Sequence, residues 1–232
     1  MAEPETDPLS SLAHDLIKSA SYDKLVVREG TPSTATNLLG SVTPDQLLAV
    51  SITSYPHAFA MLAGLWLWHD ALDECHKIAQ KEPGHLRRSE PNSHQIPSKT
   101  SLKVASLEPV ENDIGLERRS LRDATESLSF WHAIMHRREG DYSNSKYWFA
   151  RCADHPVLKS MGSYANDILH QLPADKSLLR LVRSGWDPDA FVDLLEAVHD
   201  RPDDARYGPA VALQKIEWRL LFNYCTRLAA GQ

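Results

Sequence analysis

The chain has 232 residues, 42% hydrophobic and 24% charged, the composition of a single soluble domain large enough to bury a core without staples. Twenty-five Lys+Arg against 31 Asp+Glu leave a formal net charge of −6, which argues against the positive footprint of a nucleic-acid binder. The longest apolar run, Ala58 to Trp68, falls far short of the ~20 residues of a membrane span. The acidic N-terminus has no apolar stretch behind it, so no secretory signal is expected, and three unpatterned cysteines (Cys75, Cys152, Cys225) fit a reducing, cytoplasmic setting.

In chain order, Ser10 to Ser19 reads as a short amphipathic helix. Thr43, Pro44 and Gln46 form an N-cap, a first-turn proline and a capping box, and they open a helix over the apolar run Leu47 to Ile52. A helix follows from about Ala58 to about Gln80, apolar on nearly all sides at first and polar along one face later. Prolines 83, 91, 97 and 109 interrupt residues 81 to 116, which read as one long irregular loop able to act as a lid. Further helices are expected over about Leu116 to Arg138, Tyr142 to Ala153, Gly162 to Leu172, Trp186-Asp-Pro-Asp to His199 (Asp187 as N-cap), and Pro209 to Ala229. Only Lys24 to Arg28 hints at a strand. The fold class is therefore all-α, a single helical metal-binding domain over 1–232.

Eleven histidines are many for this length, and their spacing carries the functional signal. His69, Asp73 and His76 lie at i, i+4, i+7 on the first strong helix, and His132, His136 and Glu139 repeat that spacing on the second. Burying such groups on otherwise apolar helices is costly unless they are paired or bound to metal, and two facing stripes would build a metal site in a bundle core. His132-x-x-x-His136 places two imidazoles one turn apart. Ala133 stands where a zincin needs its glutamate, which argues against a metalloprotease. His76 is the best third ligand, ahead of Glu139 and His69. Three ligands with one open position match catalytic zinc, with Asp73 able to orient His69 or His76. Histidine ligation suits zinc, copper or iron, but a copper pair needs six histidines, so one zinc ion is expected.

The other residues have blander readings beside the functional ones. For His69, a core histidine bonded to Asp73 stands level with ligation. His155, ahead of Pro156, reads as a cap or turn residue. His14, His85, His94, His170 and His199 read as loop or surface residues, and Cys75 as a small buried apolar group. Aromatics crowd Phe130 to Phe149. Trp131, Tyr147 and Trp148 are open between core and the wall of a pocket for a flat aromatic ligand, whereas Phe130 and Phe149 read as core. Arg137 and Arg138 beside Glu139 read as a salt-bridge cluster rather than an anion site.

The blocks Leu67-Trp-His-Asp-Ala-Leu-Asp-Glu-Cys-His76, Phe130-Trp-His-Ala-Ile-Met-His-Arg-Arg-Glu139 and Asp141-Tyr-Ser-Asn-Ser-Lys-Tyr-Trp-Phe149 resemble a family of small hemocyanin-like helical proteins from fungi and bacteria, which includes the cyclopenases of quinolone-alkaloid biosynthesis. The resemblance covers most of residues 45 to 225. It implies a bundle like the hemocyanin core with one zinc in place of a copper pair. It also implies a reaction, the contraction of an epoxidised benzodiazepinedione such as cyclopenin to a 4-aryl-quinolin-2-one such as viridicatin, with loss of methyl isocyanate. On that reading His76, His132 and His136 hold the metal, Glu139 is the general acid or base, Asp73 orients His76, and His69, Trp131 and Tyr147 line the pocket of a small aromatic substrate. Two rivals share part of the pattern: a DinB-like metal-dependent hydrolase or transferase, and a non-enzymatic helical scaffold whose histidines are satisfied by Asp73 and Glu139.

Overall fold

The computed structural model describes residues 7–27, 34–87, 111–171 and 178–232. Nine α-helices follow in chain order among the described residues: α1 (Ser11–Lys18), α2 (Thr34–Leu39), α3 (Tyr55–Trp68), α4 (Leu72–Ala79), α5 (Glu111–Glu139), α6 (Tyr142–Ala150), α7 (Pro156–Gln171), α8 (Pro188–Val198) and α9 (Tyr207–Ala230). No strand occurs among those residues, so the fold is all-α, as the sequence implies. The strand hinted at over Lys24 to Arg28 does not form over Lys24 to Val27, which bends at Leu25 and is tied down where Val27 N–H donates to the Arg138 carbonyl at 2.7 Å; Arg28 lies outside the described residues. No described helix is long and apolar enough to cross a membrane.

Helix α3 is the central rod. Its residues Ala60 to Leu67 are all buried, because α9, α5 and α4 surround it. Gly64 permits the closest approach. A methyl group there would lie 2.7 Å from Cζ2 of Trp131 on α5, and the Gly64 carbonyl accepts from Trp218 Nε1 of α9 at 2.8 Å. A second apolar cluster joins α7, α8 and the first half of α9 through Met161, Leu169, Phe191, Leu195 and Leu213, and Trp186 and Leu220 pack against both clusters.

The expected continuous helix over 58–80 is two helices. α3 stops at Trp68 in a Schellman turn: Asp70 N–H donates to the Leu67 carbonyl at 3.2 Å and Ala71 N–H to the Trp66 carbonyl at 3.0 Å, with Asp70 at φ +62°. Aspartate is a poor substitute for glycine in that conformation, and an ion pair holds it there. The fully buried Arg138 guanidinium donates to the Leu67 carbonyl and to Asp70 Oδ1, both at 2.7 Å, and to the Lys24 carbonyl at 3.0 Å. Periodicity alone does not reveal this break, because its determinant lies 68 residues away in sequence. Its consequence is a redirected α4 that packs on both α3 and α5.

Other boundaries shift for local reasons. The capping box forms, with Thr43 N–H donating to Gln46 Oε1 at 2.8 Å, but it caps only one turn, Pro44–Gln46. Residues 47–49 pair with the N-terminal segment instead of continuing the helix: Ser10 N–H donates to the Leu47 carbonyl and Ala49 N–H to the Pro8 carbonyl. α5 begins at Glu111 rather than near Leu116, and α7 begins at Pro156 rather than Gly162. α2 was not expected. α8 starts where its signals place it, with Asp187 Oδ1 accepting from Ala190 N–H at 2.9 Å. Most of the expected lid, 88–110, lies outside the described residues.

Candidate metal centre

The site is built at one end of α5. His132 and His136 sit one turn apart on its final turns, and the helix ends in a second Schellman turn at Gly140, φ +93°. There Gly140 N–H donates to the Arg137 carbonyl and Asp141 N–H to the His136 carbonyl. Asp141 at once caps α6 by accepting from Asn144 N–H at 3.1 Å. With no residues to spare between the two helices, α6 folds back along α5. Its Asn144 and Trp148, again one turn apart, come to lie on His136 and His132 respectively. The Trp148 ring stacks on His132 at 3.9 Å between centroids and 18° between planes. Asn144 Nδ2 is 3.0 Å from His136 Nε2 and 3.4 Å from Nδ1.

His76 closes the group from α4. Its ring meets His132 and His136 edge-on, at centroid distances of 4.7 and 5.4 Å. One ring nitrogen from each of the three histidines falls within 4.8 Å of the others. His132 and His136 are buried and His76 is half-buried.

The electrostatics of this group suit a cation. Neither nitrogen of His132 has a hydrogen-bond partner although the ring is 3% exposed, an omission that costs about 1–3 kcal/mol for a buried polar group. Burial, and then the neighbouring His136 and His76, push its pKa down to about 3, so the ring is neutral with a lone pair available at neutral pH. His136 Nδ1 lies 2.9 Å from Glu139 Oε2, and the half-exposed carboxylate accepts a hydrogen bond from the N–H at that position, which leaves the Nε2 lone pair for another partner. A carboxylate behind a histidine in this way is the usual outer support of a metal ligand. The residues present therefore fit a single metal ion held by three imidazoles with a position left open. Nitrogen donors of this kind are shared by zinc, copper and iron.

Several expected site residues lie elsewhere. The first stripe does not exist as such, since the break at Asp70 separates His69 from Asp73 and His76. His69 is outside the three-histidine group, with Nε2 3.0 Å from the Leu16 carbonyl of α1. Its bonded partner is thus a backbone carbonyl, not Asp73. Asp73 is exposed and makes no hydrogen bond to His76. Trp131 is fully buried, against Gly64 and Trp218 on the α3–α9 side, and so serves as core rather than as a pocket wall. Tyr147 is 55% exposed, beside Trp148 and Arg151. Trp148 is the aromatic that reaches the histidines.

The sequence reading did not single out Asn144. The Gly140-Asp141 pair, a helix stop followed directly by an N-cap, was the signal available for it. His155 is a cap as expected, its Nδ1 accepting from Val157 N–H at 3.2 Å, and it is also fully buried. Arg137 and Arg138 do form ion pairs, though not with Glu139. Arg137 pairs with Glu217 of α9, both fully buried, and Arg138 with Asp70. The Cys75 side chain is buried, and burial drives its thiol far above the ordinary range. Comparison of the chain with family models, with curated proteins and with solved structures finds no match.

Proposed function

We propose that the chain is a mononuclear zinc enzyme of the hemocyanin-like helical type, with His76, His132 and His136 as its ligands. The observation that carries the metal assignment is His132, a buried imidazole with both nitrogens unpartnered, at the centre of a three-histidine group whose donor atoms lie within 4.8 Å. We further propose a cyclopenase-type reaction, the ring contraction of an epoxidised benzodiazepinedione to a 4-aryl-quinolin-2-one with loss of methyl isocyanate. The resemblance of Leu67–His76, Phe130–Glu139 and Asp141–Phe149 to that family supports this choice of substrate. Zinc bound there supplies a Lewis acid for a carbonyl or epoxide oxygen.

The chain's own residues have separable tasks in this proposal. Glu139 holds the proton on His136 Nδ1 and, being half-exposed, can exchange protons with solvent. Trp148 covers His132 from one side and excludes water there. Tyr147 and Arg151 flank Trp148 toward the exterior, where an aryl group would first arrive. Three buried, unpaired cysteines accord with a cytoplasmic setting.

The test uses protein purified without a histidine tag. Metal analysis is expected to give one zinc per chain, and incubation with cyclopenin is expected to yield viridicatin and methyl isocyanate. A stoichiometric metal with hydrolysis in place of ring contraction would replace this reaction with the hydrolase reading. Absence of bound metal together with inactivity would leave a helical scaffold.

A further inference from the structure

Asn144 is a polar side chain at the three-histidine group whose amide lies against a candidate ligand's ring without meeting either lone pair head-on. Glu139 holds the Nδ1 side of His136, and Asn144 Nδ2, 3.0 Å from Nε2 and 3.4 Å from Nδ1, lies beside the ring, off the axis of the Nε2 lone pair. A cation on Nε2, with Glu139 on Nδ1, leaves the ring no acceptor for the amide. The amide is then left with an unspent donor beside the coordination sphere, and its position is fixed. Asn144 lies in the first turn of α6, its own N–H capped by Asp141, and Ser145 next to it is pinned to the Ala133 carbonyl at 2.8 Å. The other polar side chains near the group are committed or turned away: Glu139 to His136, and Asp73 to solvent.

On the basis of the metal reading above, we propose that Asn144 positions the exogenous ligand of the metal: it donates a hydrogen bond to an oxygen bound in the fourth position. The ligand class is an oxygen donor bearing negative or partial negative charge, such as a carbonyl, carboxylate or hydroxamate. The choice of amide over carboxylate has a physical reason. A carboxylate at this place would itself occupy the fourth position and close the site, whereas a neutral amide leaves it open and marks it with a donor.

The experiment is a titration of cobalt-substituted protein with acetohydroxamate, followed by the visible d–d band, together with cobalt stoichiometry and affinity. Asn144→Ala is expected to keep one cobalt with undiminished affinity and to weaken acetohydroxamate by about tenfold, the loss of one hydrogen bond to a charged group. Asn144→Asp is expected to alter the band before any acetohydroxamate is added and to abolish the response to it. Unchanged acetohydroxamate affinity in Asn144→Ala would overturn the proposal. So would a loss of cobalt in step with acetohydroxamate, since Asn144 would then serve only to hold His136. Failure of the unsubstituted protein to take up cobalt would instead sink the metal reading itself, and the two failures are distinguishable.

Discussion

Replacing His132 by leucine separates the metal argument from ordinary packing, because the two predict opposite signs. If the imidazole is an ordinary core residue, the change should destabilise the fold, as core substitutions usually do. In the structure, however, both nitrogens of His132 are buried without partners, a cost of about 1–3 kcal/mol in metal-free protein that leucine removes. Leucine is close in volume and forms helix well, and the loss of the stack on Trp148 returns about 0.5–1 kcal/mol. The net expectation is a metal-free variant more stable by about 1 kcal/mol, which is about 2–4 °C in Tm for a domain of this size. Zinc should act the other way round. At a hundred times its dissociation constant it stabilises a one-site protein by about 2.7 kcal/mol, and this gain should vanish in the variant. Calorimetric scans with chelator and with excess zinc give all four values. A chelated variant that melts well below the chelated parent would refute the reasoning, as would an equal zinc shift in both proteins.

Three further outcomes are expected. Glu139→Ala should weaken metal binding by about tenfold to a hundredfold while circular dichroism stays unchanged, and Glu139→Gln, which keeps an acceptor for His136 Nδ1, should lose much less; competition with a chromophoric chelator measures both. Glu217→Leu should destabilise by about 3–5 kcal/mol in urea, because it leaves the fully buried Arg137 charge without its counter-ion. Acid should destabilise the protein through His155. Burial lowers its pKa to about 3, whereas the unfolded chain takes a proton near 6.5, so protons favour the unfolded state throughout that interval and stability falls with pH. His155→Asn retains an acceptor for Val157 N–H and should flatten the decline in urea midpoint between pH 7 and pH 5; an unaltered slope would count against a neutral buried His155.

The pieces of this protein legible in the sequence are those written in local chemistry. Asp187-Pro188 starts α8, Gly140 stops α5, apolar periodicity marks α5 and α9, and the four-residue spacing of His132 and His136 puts both on one face of a helix. Local signals determine such features because backbone hydrogen bonds and side-chain direction repeat every few residues. The sequence also points to His76 as the companion of His132 and His136, and the structure brings the three together, although for a different reason. The supposed stripe shared with His69 does not exist, and His76 reaches the group because α4 turns away from α3.

What only the tertiary structure decides is where distant groups overrule local preference. Arg138 draws Asp70 into a left-handed turn and breaks what periodicity reads as one helix. The N-terminal segment takes the backbone bonds that would have extended the helix after Gln46. The assignment of aromatics between core and site is likewise tertiary, since Trp131, Tyr147 and Trp148 are chemically alike. The packing of α5 against α3 and α9 buries the first, whereas that of α6 on α5 leaves the second exposed and lays the third on His132. The sequence thus determines which residues can bind a metal, and the helix break at Asp70, which lets α4 pack on α5, determines that three of them meet, because convergence depends on the relative placement of helices and that placement is set by contacts far apart along the chain.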